Sequence, residues 1–174
     1  LDRSSAASDV YKRQGTRFLM TSDSPVHPDA LARYLSQKDP VRIKVTTAVD
    51  GLPQRFIENE ELKRIEALGG AAKLSLALKH ARSYARDNGQ GTLGMMRMAW
   101  RSFAADPGNF GATVLAPNLL AMVERGIGKG DPVHGLLPSG QAAAMIDRLE
   151  SCDELISRII AEAEARLRAV SALL

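Results

Sequence analysis

The sequence predicts an α/β fold that is mostly helical, the C-terminal part of a larger barrel with two short strands of its own. Three observations carry that expectation. Gly15-Thr16-Arg17-Phe18 reads as a strand end running into a turn-rich loop, with a helix opened at Pro28; this layout belongs late in a barrel. From Asn59 onward the chain is almost continuous amphipathic helix. Two strands cannot close a sheet, so those helices have nothing in the sequence to cover except each other.

The bulk composition permits such a fold. The chain has 174 residues, 45% hydrophobic and 25% charged, enough apolar content to bury a core. A net charge of +3 is too small to imply nucleic acid. Cys152 is the single cysteine, which excludes an internal disulfide and fits a reducing, cytoplasmic setting. No apolar run reaches the roughly 18 residues that a membrane span needs. Residues 1–14, LDRSSAASDVYKRQ, show neither a secretory apolar core nor an initiator Met. They are small, polar and aperiodic. SSAASDVYKRQ resembles translated adapter sequence, so this stretch is read as a tail outside the fold; a genuine flexible tail is the alternative.

Taken in order, Thr16 to Met20 is short and apolar enough to end a strand, and Thr21 to His27 is a turn-rich loop. Pro28 suits a first helical position, and Ala30, Leu31, Tyr34 and Leu35 repeat at helical spacing until Lys38-Asp39-Pro40. Val41 to Val49 is the best strand, with Val41, Ile43, Val45 and Thr47 alternating against Arg42, Lys44 and Thr46, closed by a turn at Asp50-Gly51. Asn59 caps a helix through Leu68, stopped by Gly69-Gly70. Ala71 to Asn88 places Leu74, Leu78, Ala81 and Ala85 on one face. Thr92 to Ala105 is a further helix, and Thr113 to Arg125 another, with Pro117 inside it. Gly126, Gly128 and Gly130 form a glycine turn. Ser139 opens a short helix through Leu149. Ser151 and Glu154 make a capping box for a last helix with Leu155, Ile156, Ile159, Ile160, Ala163, Leu167 and Val170 on one stripe.

Two stretches have the chemistry of an anion site. A phosphate needs N–H donors that can be approached without a Cβ in the way, and Gly15 followed by Thr16 supplies these plus a hydroxyl; an ordinary turn before a strand is the plainer reading of that pair alone. Leu136-Leu137-Pro138-Ser139-Gly140-Gln141 starts a helix whose N-terminus favours an anion, or is simply a well-capped helix start. His27, His80 and His134 lack metal-ligand spacing, and structural or surface roles suit all three; His27 is nearest the phosphate candidate. Cys152 follows the Ser151 cap with no neighbouring histidine to activate it. Met95, Met96, Met98 and Trp100 read as core more readily than as a pocket. Lys63, Arg64, Lys73, Lys79, Arg82 and Arg86 are interleaved with Glu58, Glu60, Glu61 and Glu66, which reads as a solvated face.

GTRF, SDSPVHPDAL, VTTAVDGLPQRFIENE, DPVHGLLPSGQAAAMID and SCDELISRIIAEAEARL, in that order from Gly15 to about Leu167, resemble the nitronate monooxygenase family, also called the 2-nitropropane dioxygenase family. The resemblance implies a TIM-like (β/α)8 barrel that binds FMN, a flavoprotein oxidising alkyl nitronates with oxygen. A related branch reduces enoyl thioesters. It implies that Gly15 and Thr16 help hold the FMN phosphate and that Ser139, Gly140 and Gln141 lie near the cofactor. Many members carry a Gln two positions before the Gly-Thr pair. Gln14 is adjacent to it instead, so that role is not carried over. The family's catalytic histidine and its earlier glycine-rich loop precede the Gly-Thr pair, and nothing in this chain matches them, so no catalytic residue and no metal ligand is expected here.

The organisation this implies is a tail over 1–14, then the end of a late barrel strand with the phosphate-site turn and following helix over 15–38. A lid-like helical extension with one strand covers 39–130, and C-terminal helices returning to the barrel cover 131–174. The expected parent is an FMN-dependent nitronate monooxygenase, of which this part is inactive alone. Its partners would be a nitronate or nitroalkane and oxygen, without nucleic acid or membrane, and a homo-oligomer is compatible with it. The alternatives are a part of an FMN-dependent enoyl reductase, or a non-enzymatic helical interaction module.

Overall fold

A computed structural model of the chain describes residues 15–87 and 110–172, together with Arg97 and Arg101. The predicted strand end at Thr16 to Met20 is instead a helical segment over residues 15–19. Met20 N–H donates to the Thr16 carbonyl at 3.1 Å, the i to i−4 closure of an α-turn. The apolar run was too short to show a period, and the strand-like contact falls just after it. Thr21 bridges Glu150 in parallel, and Ser22 N–H donates to the Glu150 carbonyl at 3.0 Å.

Helix α1, Pro28–Ser36, starts at Pro28 as expected, and buries Ala30, Leu31 and Tyr34. The predicted strand from Val41 to Val49 shrinks to β1, Ile43–Thr46. The Asp39 carboxylate accepts from Val41 N–H at 2.9 Å, and Pro40 fixes the next φ, so Pro40–Arg42 winds into a 3-10 turn that leaves Val41 79% exposed. Val45 is exposed too, so the expected inward set keeps only Ile43 of its large side chains. The partner of β1 is β2, Gln54–Ile57, antiparallel with Ile43 opposite Ile57 and Thr46 opposite Gln54. Nothing in Gln-Arg-Phe-Ile alternates, so no strand was expected there. The turn between them is at Asp50-Gly51 as predicted, with Gly51 at φ +88°.

β2 is the wall between two cores. Successive strand side chains point to opposite faces. Ile57 joins Met20, Leu31, Tyr34, Ile43, Leu137 and Ile146, while Phe56 joins Val49, Leu62, Ile65, Met122 and Leu136. Fully burying each such large apolar side chain contributes about 1.5–3 kcal/mol. The free edge of β2 takes up the segment from Leu137 to Ser139: Ile57 N–H donates to the Leu137 carbonyl at 2.9 Å and Ser139 N–H to the Arg55 carbonyl at 3.0 Å.

Helix α2, Glu60–Ala67, is capped by Asn59 as predicted. Helix α3, Gly70–Asp87, is rotated from its expected face at Leu74 and Leu78, which are exposed, while Ala77 is buried and Leu76 packs on the second core; Ala85, of the expected set, is buried. The rotation places His80 Nδ1 2.9 Å from Asn118 Oδ1 of helix α4, Phe110–Val123, and Asn118 Nδ2 donates to the Lys73 carbonyl at 3.2 Å. A buried amide demands partners, and this one sets the register of the helix pair. Pro117 lies inside α4 as expected. The predicted helix from Thr92 to Ala105 lies outside the described residues, apart from Arg97 and Arg101, which are helical and exposed.

A π-helical turn, Glu124–Gly128, follows α4. Gly126 and Gly135 bring two backbones together so closely that a Cβ on either would run into main-chain atoms of the other strand of the turn. The predicted helix from Ser139 to Leu149 is only a 3-10 turn, Gln141–Met145, begun by Gly140 without a side-chain cap. Ser139 is held extended by its bond to Arg55, so it cannot act as the cap. The final helix α5, Cys152–Ser171, opens with the expected capping box between Ser151 and Glu154. Its expected inward stripe is buried only at Leu155; Ile156, Ile159, Ile160, Leu167 and Val170 are 46 to 68% exposed. Among the described residues the one sheet is the antiparallel β1–β2 pair, so the parallel strands of a barrel are not found there. No described helix is long and apolar enough to cross a membrane.

Candidate functional site

The two stretches singled out as anion-binding candidates lie together. Gly140 N–H donates to Thr16 Oγ1 at 2.8 Å, across 124 residues of sequence, and both residues are buried. The segment carrying Gly140 is clamped from two other sides. Tyr34 OH donates to the Pro138 carbonyl at 2.7 Å, and Ser139 N–H is bound to β2. Burial raises the Tyr34 phenol well above its ordinary value, so it stays a neutral donor. Ser139 Oγ donates to its neighbour's carbonyl, that of Gly140, at 3.0 Å, so its hydroxyl faces inward. Gln141 is exposed at the start of the 3-10 turn. Gly15 is exposed as well, and a Cβ built on it would meet nothing within 4 Å.

Behind this patch sits a charge cluster that the sequence did not signal. The Glu150 carboxylate is bound by Arg17, by Arg148 at 2.9 Å and by Arg158 at 3.0 Å. The Arg158 guanidinium, then Arg148 and the charge of Arg17, hold the Glu150 carboxyl down at about 2 despite the opposing effect of desolvation. Arg158 also pairs with Glu162 at 2.8 Å. Three guanidiniums therefore share two carboxylates, and two more carboxylates stand at the same helix start, Asp23 on Cys152 N–H and Glu154 on Ser151 N–H. Glu150 precedes the Ser151 cap in sequence, and no motif spacing links it to Arg17.

The histidines have partners outside the patch, whereas Cys152 lies beside the Glu150 cluster. His27 caps α1, its Nδ1 accepting from Asp29 N–H at 3.3 Å. His80 is bound to Asn118, and His134 lies 3.0 Å from Asp131. His134 N–H first, then its ring and the Arg125 guanidinium, lower the Asp131 carboxyl to about 2. Among the described residues no group of His, Cys, Asp or Glu is placed to hold a metal. Cys152 Sγ lies 3.7 Å from Thr21 Oγ1. Lys63 and Arg64 on the basic face pair with Glu60 and Glu61 at 2.9 and 2.5 Å. Met95, Met96, Met98 and Trp100 lie outside the described residues.

Residues 7–162 match the family described as "Nitronate monooxygenase". The chain belongs to the nitronate monooxygenase family. Two curated relatives carry the name "(3aS,4S,5R,7aS)-5-hydroxy-7a-methyl-1-oxo-octahydro-1H-indene-4-carboxyl-CoA dehydrogenase". The one from Mycobacterium tuberculosis (strain ATCC 25618 / H37Rv) is 35% identical over 167 residues, 91% of this chain and 44% of that protein. The one from Rhodococcus jostii (strain RHA1) is 27% identical over 159 residues, 91% of this chain and 45% of its own length. The chain thus spans less than half the length of either relative.

FMN is the cofactor that family membership implies, and the patch has features that suit its phosphate. Gly15 is not needed as glycine for this chain's own packing, because a Cβ there would point into open space. That open side is where an outside group can come close to the backbone. Arg17, one arm of the arginine cluster, follows the pair directly in sequence.

Proposed function

We propose that the chain is the C-terminal part of an FMN-dependent oxidoreductase whose substrate is an acyl-CoA thioester, and that it is inactive by itself. The single observation behind the site is the Gly140–Thr16 hydrogen bond, which joins the two family motifs into one patch. The thioester rests on the likeness to two CoA-ester dehydrogenases. Monooxygenase and dehydrogenase are both oxidoreductases, and this shared chemistry supports the class of the parent.

In this reading Gly15 gives the phosphate a close approach to the backbone, Thr16 and Gly140 fix the turn, and Arg17 within its cluster supplies long-range attraction. Gln141, exposed at the start of its turn, offers an amide to the same region. FMN, when bound, supplies the electron-accepting ring. The proton-abstracting group belongs to the part of the parent ahead of this chain. A nitronate and the α-carbanion of a thioester are both stabilised carbanions, so one cofactor site serves either. Oxidation of alkyl nitronates with oxygen is therefore the second reading, favoured by the family description.

The test is a chimaera in which this chain replaces the matching part of the M. tuberculosis relative. Retained FMN, with flavin bleaching by a CoA thioester under anaerobic conditions, supports the first reading. Oxygen uptake with an alkyl nitronate and no response to thioesters supports the second. A folded chimaera that retains no FMN overturns both.

A further inference from the structure

A cleft of about 510 Å³ opens between α1, the 3-10 turn Pro40–Arg42 and the start of α2. It shares no lining residue with the Thr16–Gly140 patch. Its volume is in the range that small-molecule ligands occupy. Three cations line it: Arg33 from α1, Arg42 from the turn and Lys63 from α2. Arg33 is half-buried, and its guanidinium is held by neutral acceptors, Ser36 Oγ and Gln37 Oε1, both at 3.3 Å. The Arg42 guanidinium stands 4.0 Å from Asp39, beyond hydrogen-bond reach, and 64% of its side chain is exposed. Neither guanidinium is closed off by a bidentate carboxylate.

Two carboxylates line the cleft as well, and each has its own cation. Glu58 takes Lys44 at 2.8 Å, and Glu60 takes Lys63 at 2.9 Å. The Lys44 hydrogen bond first, then the charges of Lys44, Lys63 and Arg42, keep the Glu58 carboxyl below its usual range despite desolvation. Pro132 and the exposed Val133 make an apolar wall. Asn59, another lining residue, donates to the carbonyls of Pro132 and Gly135 at 2.9 and 2.7 Å, and so ties that wall to the α2 cap.

This mixture selects among anions. A bare phosphate would gain the cations but face Glu58 and Glu60. A nucleotide brings phosphates for the guanidiniums, ribose hydroxyls and an exocyclic amine for the carboxylates, and a flat ring for Pro132 and Val133.

We propose that this cleft holds the nucleotide end of a coenzyme A thioester, with Arg33 and Arg42 on its phosphates and Glu58 accepting from its sugar or base. This rests on the reading of the substrate as an acyl-CoA. Coenzyme A carries its nucleotide and its thioester at opposite ends of a long arm. A nucleotide subsite therefore has to stand apart from the flavin patch yet be fixed to the same frame. Arg33 directly precedes Tyr34, whose OH donates to the Pro138 carbonyl, and Glu58 directly follows Ile57, whose N–H donates to the Leu137 carbonyl. Both connections lead into the segment that carries Gly140.

Calorimetric titration of the chain with coenzyme A tests this. Coenzyme A and its adenosine bisphosphate half should bind and compete with each other, while pantetheine and inorganic phosphate should not compete. Arg33→Gln and Arg42→Gln should each weaken binding about ten-fold, the loss of one charge-assisted contact. Lys79→Gln, exposed on α3, should leave binding unchanged. Arg42 is exposed, so its variant keeps the test open if Arg33→Gln disturbs α1. In the chimaera with the M. tuberculosis relative, both arginine variants should raise the concentration of CoA thioester that half-bleaches the flavin. They should not alter the response to an N-acetylcysteamine thioester, which lacks the nucleotide. The proposal is overturned if coenzyme A does not bind, if inorganic phosphate displaces it as well as the bisphosphate does, or if neither arginine variant weakens it. Bleaching by CoA thioester that ignores both variants sinks the cleft and leaves the functional reading intact. Coenzyme A bound through the arginines in a chimaera that no thioester bleaches counts against the functional reading and leaves the cleft's ligand standing.

Discussion

Thr16 and Gly140 meet through a single hydrogen bond, Gly140 N–H to Thr16 Oγ1 at 2.8 Å, in a place that water does not reach. That bond gives the first prediction. Thr16→Val keeps the shape and removes the acceptor, leaving a buried N–H unpaired. The expected cost is about 1–3 kcal/mol, read as a lower urea midpoint. Thr16→Ser should recover most of the loss.

Gly15 and Gly135 should respond in opposite ways to the same change. A Cβ at Gly15 meets nothing, and the residue is helical, so Gly15→Ala should hold or raise stability by up to about 1 kcal/mol. In the chimaera it should nevertheless weaken FMN retention. Gly135→Ala drives a methyl into the backbone at Gly126 and should cost about 1–3 kcal/mol. Thermal melts of the two variants side by side check this.

Acid should unfold the protein by way of two carboxylates. Glu150 and Asp131 both titrate at about 2 in the folded chain, below their ordinary 4.5 and 3.8. The unfolded chain therefore takes up these protons first as pH falls. Stability from the two groups is complete above about pH 4.5 and drains away as pH falls toward 2. Glu150→Gln should lower stability at neutral pH and flatten the decline over that window, measured as urea midpoint against pH.

Asn59 has two tasks, and they can be separated. Its Oδ1 accepts from Leu62 N–H at 2.8 Å, and its Nδ2 donates to the carbonyls of Pro132 and Gly135 at 2.9 and 2.7 Å. Loss of a cap alone typically costs about 1 kcal/mol. Asn59→Asp keeps the cap but turns a carboxylate toward two carbonyl oxygens, so it should be nearly as damaging as Asn59→Ala. Chemical denaturation of both variants decides it.

The chain alone should bind FMN weakly. In the proposed reading the motif patch offers at most a phosphate cradle, and the family resemblance implies that a further glycine-rich loop is needed to hold the cofactor. Fluorescence titration should give a dissociation constant above the micromolar range; a submicromolar value would refute the reading.

What the sequence made legible was whatever is decided locally. The Ser151–Glu154 capping box, the Asn59 cap, Pro28 at a helix start and the Asp50-Gly51 turn all depend on neighbours within four residues, and all are found as expected. The misreadings lie where distant contacts decide. Ser139 is kept out of a helix by Arg55, and α3 turns to satisfy Asn118 rather than to bury Leu74 and Leu78. Gln54–Ile57 becomes a strand because β1 and the segment at Leu137 flank it, with no alternation of its own. The candidate motifs were visible as pieces; that Thr16 receives Gly140 was not, and no spacing announced Glu150 as the anchor of Arg17.

The parallel bridge between Thr21 and Glu150 has a consequence for biosynthesis. Residues near position 21 leave the ribosome long before residue 150 is made. At the usual 5–20 residues per second, the nascent helical segment over 15–19 waits roughly 6–25 seconds for the partner that secures it. During that interval Met20 has no finished core to enter, so chaperone binding should concentrate on the stretch around it.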